Sequence, residues 1–135
     1  MSFTTIVKNE ICALDFSKSE NIAELSGFVR GSSKCSSNCI ELTSENAKVA
    51  KRIYLLIKSM YGIEVSLEQR KVANFSNKKI YVVTINHRIN DILTDLALVD
   101  ENNEFISSPP EYLISSNEEV KAYLRGTFLN RGSIN

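Results

Sequence analysis

The sequence has no run of the roughly 18 apolar residues that a membrane-spanning helix needs. Its opening residues, Met1-Ser2-Phe3-Thr4-Thr5, lack the charged and apolar regions of a secretory signal. Cysteines are few and odd in number: Cys12, Cys35 and Cys39. That argues against a disulfide framework and fits a reducing cytoplasm. Charge imbalance is missing too, because sixteen basic residues meet sixteen acidic ones. Phosphate neutralisation supplies much of a nucleic-acid-binding domain's affinity. A DNA-binding face on this chain must therefore be local, or another segment must supply the affinity.

Catalytic and cofactor motifs are equally scarce. There is no P-loop and no G-x-G-x-x-G, so no glycine-rich phosphate cradle is expected. Cys35 and Cys39 are spaced C-x₃-C, but a zinc site needs four ligands. Only the distant Cys12 and the single histidine, His87, could add to them. His87 has no nucleophile or orienting partner marked in the sequence, so it reads as a surface or capping residue. Glu118 and Glu119 are neighbours, and adjacent helix residues do not share a face. They read as first-turn charges that suit a helix dipole. No metal, cofactor or catalytic residue is expected.

What is present suits one α+β domain. Phe3, Ile6, Val7, Ile11 and Leu14 recur on one face of a helix over 3–14, with Ser2 as N-cap. Ser17-Lys18-Ser19 reads as a polar break before a helix over 20–31. A strand is expected at Cys39-Ile40-Glu41-Leu42. The clearest helix runs from a Ser44 cap to Gly62, with Ala50, Ile53, Tyr54, Ile57, Met60 and Tyr61 inward. Lys48, Lys51, Arg52 and Lys58 face outward. Strands follow at 63–72 and 79–85, joined by a turn at Asn74-Phe75-Ser76-Asn77-Lys78. A helix over 88–98, a loop holding Pro109-Pro110 and a helix from Ser116 or Asn117 to about Asn130 complete the chain.

Two of these helices share a pattern. Ala23-Glu24-Leu25-Ser26-Gly27-Phe28-Val29-Arg30 aligns with Ala122-Tyr123-Leu124-Arg125-Gly126-Thr127-Phe128-Leu129 in Ala, Leu and Gly, 99 residues apart. Glycine inside a helix costs about 1 kcal/mol against alanine. It persists where another backbone approaches closely. The two helices are therefore expected to cross with Gly27 facing Gly126.

Each segment resembles the helix of the LAGLIDADG homing endonucleases, where two copies pack about a pseudo-two-fold axis. In that family an acidic residue at the eighth motif position of each copy binds the catalytic metal. Here the matching positions are Ser32 and Arg131. A serine is a poor magnesium ligand and an arginine repels the ion, so metal-assisted cleavage is not expected. A fuller resemblance is to the N-terminal part of the WhiA sporulation and cell-division regulators. It rests on Ser2-Phe3, Val7-Lys8-Asn9-Glu10-Ile11-Cys12, Ala23 to Arg30 and Glu45-Asn46-Ala47-Lys48-Val49-Ala50-Lys51-Arg52-Ile53-Tyr54. It continues in Ala122 to Leu129 and Arg131-Gly132-Ser133-Ile134-Asn135.

The resemblance implies a homing-endonuclease-like half-domain, with helices packed on one face of a small antiparallel sheet. One repeat would occupy about 1–115, and the first helix of a second about 116–135. It also implies a DNA-binding, non-enzymatic regulator of transcription, cell division and chromosome segregation. Such a protein would be cytoplasmic and nucleoid-associated, with a C-terminal helix-turn-helix that this sequence does not include. DNA contact would then fall mainly to that domain, and protein partners are a further expectation. The sequence stops at Asn135, where a second copy would begin its strands. An uncovered last helix is expected to favour a homodimer.

Arg70, Lys71, Lys78, Lys79 and Arg88 cluster in and near the two central strands. In homing endonucleases the sheet faces DNA, so these residues are candidate phosphate contacts; the other reading is a solvated hairpin, since hairpin tips are commonly lysine-rich. Two other readings stay open. A metal-dependent DNA endonuclease would nick plasmid with Mg²⁺. A protein-interaction module would capture partners without DNA affinity.

Overall fold

The computed structural model describes residues 2–32, 38–71 and 79–131. Their backbone forms two compact units, Met1–Ala13 with Lys34–Ile89, and Leu14–Ser33 with Asn90–Asn135.

The first unit begins with α1 (Phe3–Cys12), capped by Ser2, whose side chain accepts from the Thr5 N–H. The expected apolar stripe exists but is not enclosed: α1 buries no residue, and Phe3 and Ile6 are exposed. α1 ends two residues short of Leu14, with Ala13 as C-cap. Strand β1 covers Ile40–Ser44, later than expected. It takes in Ser44, so that residue does not cap the next helix. The cap of α3 (Ala47–Tyr61) is Asn46, whose Oδ1 accepts from Lys48 N and Val49 N. Ser44 Oγ instead accepts from Asn46 N at 3.1 Å and steers the chain out of the strand. Gly62 ends the helix at φ 59° with its N–H on the Lys58 carbonyl, as its left-handed freedom allows.

Strands β2 (Val65–Lys71) and β3 (Lys79–Ile85) pair antiparallel, and β1 pairs antiparallel with the other edge of β3, giving the order β1-β3-β2. The turn expected at 74–78 lies outside the described residues. Ile40, Leu42, Val83 and Ile85 share one sheet face by register and are buried. With Val49, Ala50, Ile53 and Ile57 of α3 they form this unit's core. Arg52, expected on the outer face of α3, is 9% exposed. Its guanidinium donates to the Ile11 carbonyl, so its position serves the contact with α1 rather than solvent.

The second unit is built on α2 (Lys18–Arg30) and α5 (Asn117–Arg131), which pack against each other. The expected polar break at 17–19 is in fact the start of α2: Ser17 caps it, and Lys18 and Ser19 are helical. Between them in sequence lies α4 (Ile89–Asp95), shorter than expected. Its end is fixed by Leu98 N on the Leu93 carbonyl and Ala97 N on the Thr94 carbonyl, with Ala97 at φ 56°. This paired pattern usually carries glycine, which is why no stop signal marks it. The region after it, expected as a plain loop, holds an isolated bridge between Val99 and Phe105. Asp100 closes it, its Oδ1 accepting from Asn102 N and Glu104 N. At the start of α5, Ser116 and Glu119 exchange side-chain-to-backbone hydrogen bonds, a capping box.

Candidate functional site

The α2–α5 pair is held at backbone distance. A Cβ on Gly27 would overlap the Tyr123 carbonyl oxygen and sit 3.2 Å from Thr127 N. A Cβ on Gly126 would overlap the Glu24 carbonyl oxygen and sit 3.0 Å from Phe28 N. These contacts are reciprocal. Shifted by 99 residues, Gly27 becomes Gly126, Glu24 becomes Tyr123 and Phe28 becomes Thr127. The atoms nearest each missing Cβ belong not to the other glycine but to the residues three before and one after it. Each receives the carbonyl three residues before the other's glycine, which is how two like helices meet about a local two-fold.

The flanks of the crossing break this likeness. On one side, Arg125 Nε donates to Glu24 Oε1 at 2.6 Å. The Glu24 side chain is fully buried and that of Arg125 is 12% exposed. The Arg125 guanidinium lies 3.5 Å from the centre of the Phe16 ring, and its Nη2 is buried without a hydrogen bond. On the other side Arg30 takes the central place. Its Nε donates to the Ile106 carbonyl at 3.0 Å, and its Nη1 to Ser26 Oγ at 2.8 Å and to the Tyr123 hydroxyl at 3.2 Å. Its Nη2 donates to the carbonyl of the left-handed Ala97. Ser26 Oγ in turn donates to the Leu96 carbonyl at 2.6 Å. A planar fork of fixed donors suits this task, and a lysine could not replace it.

The two helices run in the same direction, so their C-terminal ends converge. Asn130 Nδ2 donates to the Phe28 carbonyl at 2.6 Å and to Ser32 Oγ at 3.2 Å. Gly31 gives Asn130 its room, since a Cβ there would meet the Asn130 amide at 3.3 Å. Ser32 thus lies at the meeting of the two ends, and Arg131 is the last residue of α5. Asn130, which the sequence does not single out, reaches across to α2. Among the described residues, no group of three or more His, Cys, Asp or Glu side chains is placed to hold a metal ion.

The basic candidates are divided rather than gathered. Arg70 lies on one sheet face with Glu41 and Glu68, and its guanidinium pairs with both carboxylates. These acids hold its pKa above the ordinary arginine value, the Glu68 hydrogen bond being the main cause. Lys71 and Lys79 are register partners on the opposite face and are exposed. Lys78 lies outside the described residues. Arg88 sits beyond the other end of β3, roughly 20 Å of strand from Lys79. It adopts φ 54° and donates from Nη1 to the Tyr61 carbonyl at 3.1 Å. His87, beside it, is exposed. Cys35 is outside the described residues, while Cys12 and Cys39 are half-buried cysteines.

Comparison with known proteins gives this helix pair its context. The model of the WhiA N-terminal LAGLIDADG-like domain matches residues 18–99, more than half of the chain. The chain belongs to this family. The "Probable cell division protein WhiA" of Lactobacillus johnsonii is 36% identical over 139 aligned positions, covering 100% of this chain and 44% of the relative. Its counterpart from Staphylococcus saprophyticus is 37% identical with the same coverage. The chain therefore spans less than half the length of the WhiA proteins it matches. Among solved structures, the N-terminal LAGLIDADG domain of WhiA aligns at TM-score 0.63 and 24% identity, covering 96% of this chain and 58% of that one. Full-length WhiA from Thermatoga maritima aligns at TM-score 0.61 and 18% identity, covering 96% and 39%. Both establish the α+β LAGLIDADG-type fold. The residues that flank the WhiA-type crossing, Glu24, Ser26, Arg30, Tyr123, Arg125 and Asn130, escape a reading based on motif positions. The available signal is chemical: charged residues inside a motif that should be buried.

Proposed function

We propose that this chain is the N-terminal LAGLIDADG-like module of a WhiA-type regulator of transcription, cell division, sporulation and chromosome segregation, and that it organises the protein without cutting DNA. The observation that carries this reading is the convergent end of the α2–α5 pair. There Ser32 and Asn130 hydrogen-bond to each other, and Arg131 is the next residue. Two-metal phosphodiester cleavage needs carboxylates that hold cations at the scissile phosphate. A hydroxyl, an amide and a guanidinium supply none. The protein would act in the cytoplasm, at the nucleoid.

DNA contact by this chain itself falls to Lys71 and Lys79 in this reading. Both are exposed and in register, whereas Arg70 is occupied by two glutamates and Arg88 by the Tyr61 carbonyl. Such contacts position a protein on the phosphate backbone and carry no sequence choice. Sequence reading then belongs to a separate DNA-reading domain.

The test is incubation of the purified chain with supercoiled plasmid in Mg²⁺ or Mn²⁺. The plasmid is expected to stay intact. Metal-dependent nicking that disappears with Ser32→Ala and Asn130→Ala would establish a nuclease instead.

A further inference from the structure

The two faces of the first unit's sheet differ in charge. One carries Arg70 with Glu41 and Glu68, so two carboxylates meet one guanidinium there. The other is the face that α3 covers, and Lys71 and Lys79 stand on it beyond the buried Leu42, Val83 and Ile85. α3 adds charge to that same side. It contains Lys48, Lys51, Arg52 and Lys58 and no acidic residue. Arg52 is turned inward to the Ile11 carbonyl, while the three lysines are exposed.

The path of the chain gathers four exposed lysines at one end of the sheet. β1 finishes at Ser44, the register partner of Tyr81, and α3 starts at Ala47. The first turns of α3 therefore lie at the end where β2 finishes at Lys71 and β3 begins at Lys79. Lys48 and Lys51, neighbours on the helix surface, project from those turns. Lys58 belongs to the opposite end, where it shares a hollow with Gly62, Glu64 and Val65. Glu45, just before α3, interacts with Lys8 of α1; burial lowers the Lys8 pKa, and Glu45 works against that. A chain with balanced charge thus keeps a local excess of lysine at a single corner.

All four side chains are compact point charges on flexible stems. A protein–protein interface is anchored by arginine or aromatic residues, and this set contains neither. A repeating row of phosphates needs only such charges, and lysine-to-phosphate contacts position a protein on duplex DNA without reading bases. We infer that Lys48, Lys51, Lys71 and Lys79 form one phosphate-binding corner for duplex DNA on the α3 side of the sheet, and that the face carrying Glu41 and Glu68 takes no part. The inference rests on the reading that this chain touches DNA through Lys71 and Lys79. It adds the helix, the side of approach and the excluded face.

The test is retardation of a labelled duplex by the purified chain at about 50 mM salt. Lys48→Ala with Lys51→Ala, changes that suit an exposed helix, should weaken binding about tenfold or more. They should also flatten the slope of log affinity against log salt by about 1.8, roughly 0.9 for each lost phosphate contact. Lys58→Ala on the same helix, and Glu41→Gln with Glu68→Gln on the other face, should each change affinity by less than about threefold. If Lys71→Ala with Lys79→Ala weakens binding and the α3 pair does not, the underlying reading stands and the corner is overturned. A parent chain that retards no duplex overturns both. A gain of about tenfold from the two glutamine substitutions would put DNA on the other face and overturn the inference. So would polyglutamate that displaces the duplex, at equal charge, as well as unlabelled duplex does, since the corner would then serve an acidic protein.

Discussion

The α2–α5 helix pair and the β2–β3 hairpin both carry charged residues but use them in opposite ways. At the helix pair, Glu24 and Arg125 are withdrawn from water and meet at 2.6 Å beside a backbone contact that only glycine permits. At the hairpin, Arg70, Glu68, Lys71 and Lys79 are exposed, and the paired Arg70 and Glu68 side chains are 45% and 52% accessible. Desolvated charges are costly to mispair, while solvated ones are cheap to exchange. The helix pair is thus where the fold is specified. The hairpin is where the chain can vary without losing its shape.

The largest effect expected from this contrast is at Arg125. Arg125→Leu removes the guanidinium that meets the buried Glu24 carboxylate, and breaking a buried pair costs about 3–5 kcal/mol. Urea denaturation monitored by circular dichroism measures it, and a loss under about 1 kcal/mol would place the pair with ordinary surface bridges.

A smaller effect is expected at the first turn of α5. Ser116→Ala removes one half of the capping box and should cost about 1 kcal/mol. The other half adds a pH dependence. Hydrogen bonds, first from Ser115 and then from Ser116, hold the Glu119 carboxyl below its ordinary value of 4.5. A group whose folded pKa is lowered contributes stability above its unfolded pKa. That contribution fades as pH falls through the folded value. The parent should therefore lose more stability than Glu119→Gln between pH 5 and the acid limit, and parallel acid titrations would exclude the contribution.

The smallest effect is expected at the sheet. Arg70→Ala, which breaks two exposed ion pairs, should leave the urea midpoint within experimental scatter, as is usual for surface bridges. A clear shift would show that the hairpin is also a specified part of the fold. For DNA, Lys71→Glu with Lys79→Glu should abolish any retardation of duplex DNA by this chain at low salt, while Arg70→Ala should not change it. Equal behaviour of the two variants would remove the division between the sheet faces.

These outcomes bear on what could be read in the sequence. Periodicity located α1, α2, α3 and β3, because their apolar residues repeat at 3–4 or 2 positions, while α5 was marked by its first-turn carboxylates. Gly62 marked its helix end because a left-handed residue was needed there. Local competition for caps was harder to see: Ser44 and Asn46 are both good caps, and the strand took Ser44. Ala97 was invisible as a helix stop because the residue in the left-handed position is not glycine. Its carbonyl is bound by Arg30, a contact between residues 67 apart that no local pattern reports. The apolar stripe of α1 was legible, but its exposure was not, since burial depends on what stands opposite. At the candidate site, the glycine repeat pointed to close approach. The residues that make the crossing asymmetric required the three-dimensional pairing of positions 24 and 125.

The central claim is that backbone contact at the two glycines holds the second unit together. Gly126 and Gly62 offer a matched pair. A Cβ at Gly126 would meet the Glu24 carbonyl, whereas a Cβ at Gly62 meets nothing within 4 Å and is opposed only by φ 59°. Gly62→Ala should cost about 1–2 kcal/mol, the strain of a left-handed alanine. Gly126→Ala gains helix propensity but must push the two backbones apart, and a net loss of about 3 kcal/mol or more is expected. The direct measurement is urea denaturation of both variants beside the parent. A clearly larger loss for Gly126→Ala is the predicted result, and a Gly126→Ala chain as stable as Gly62→Ala, or more so, would contradict it.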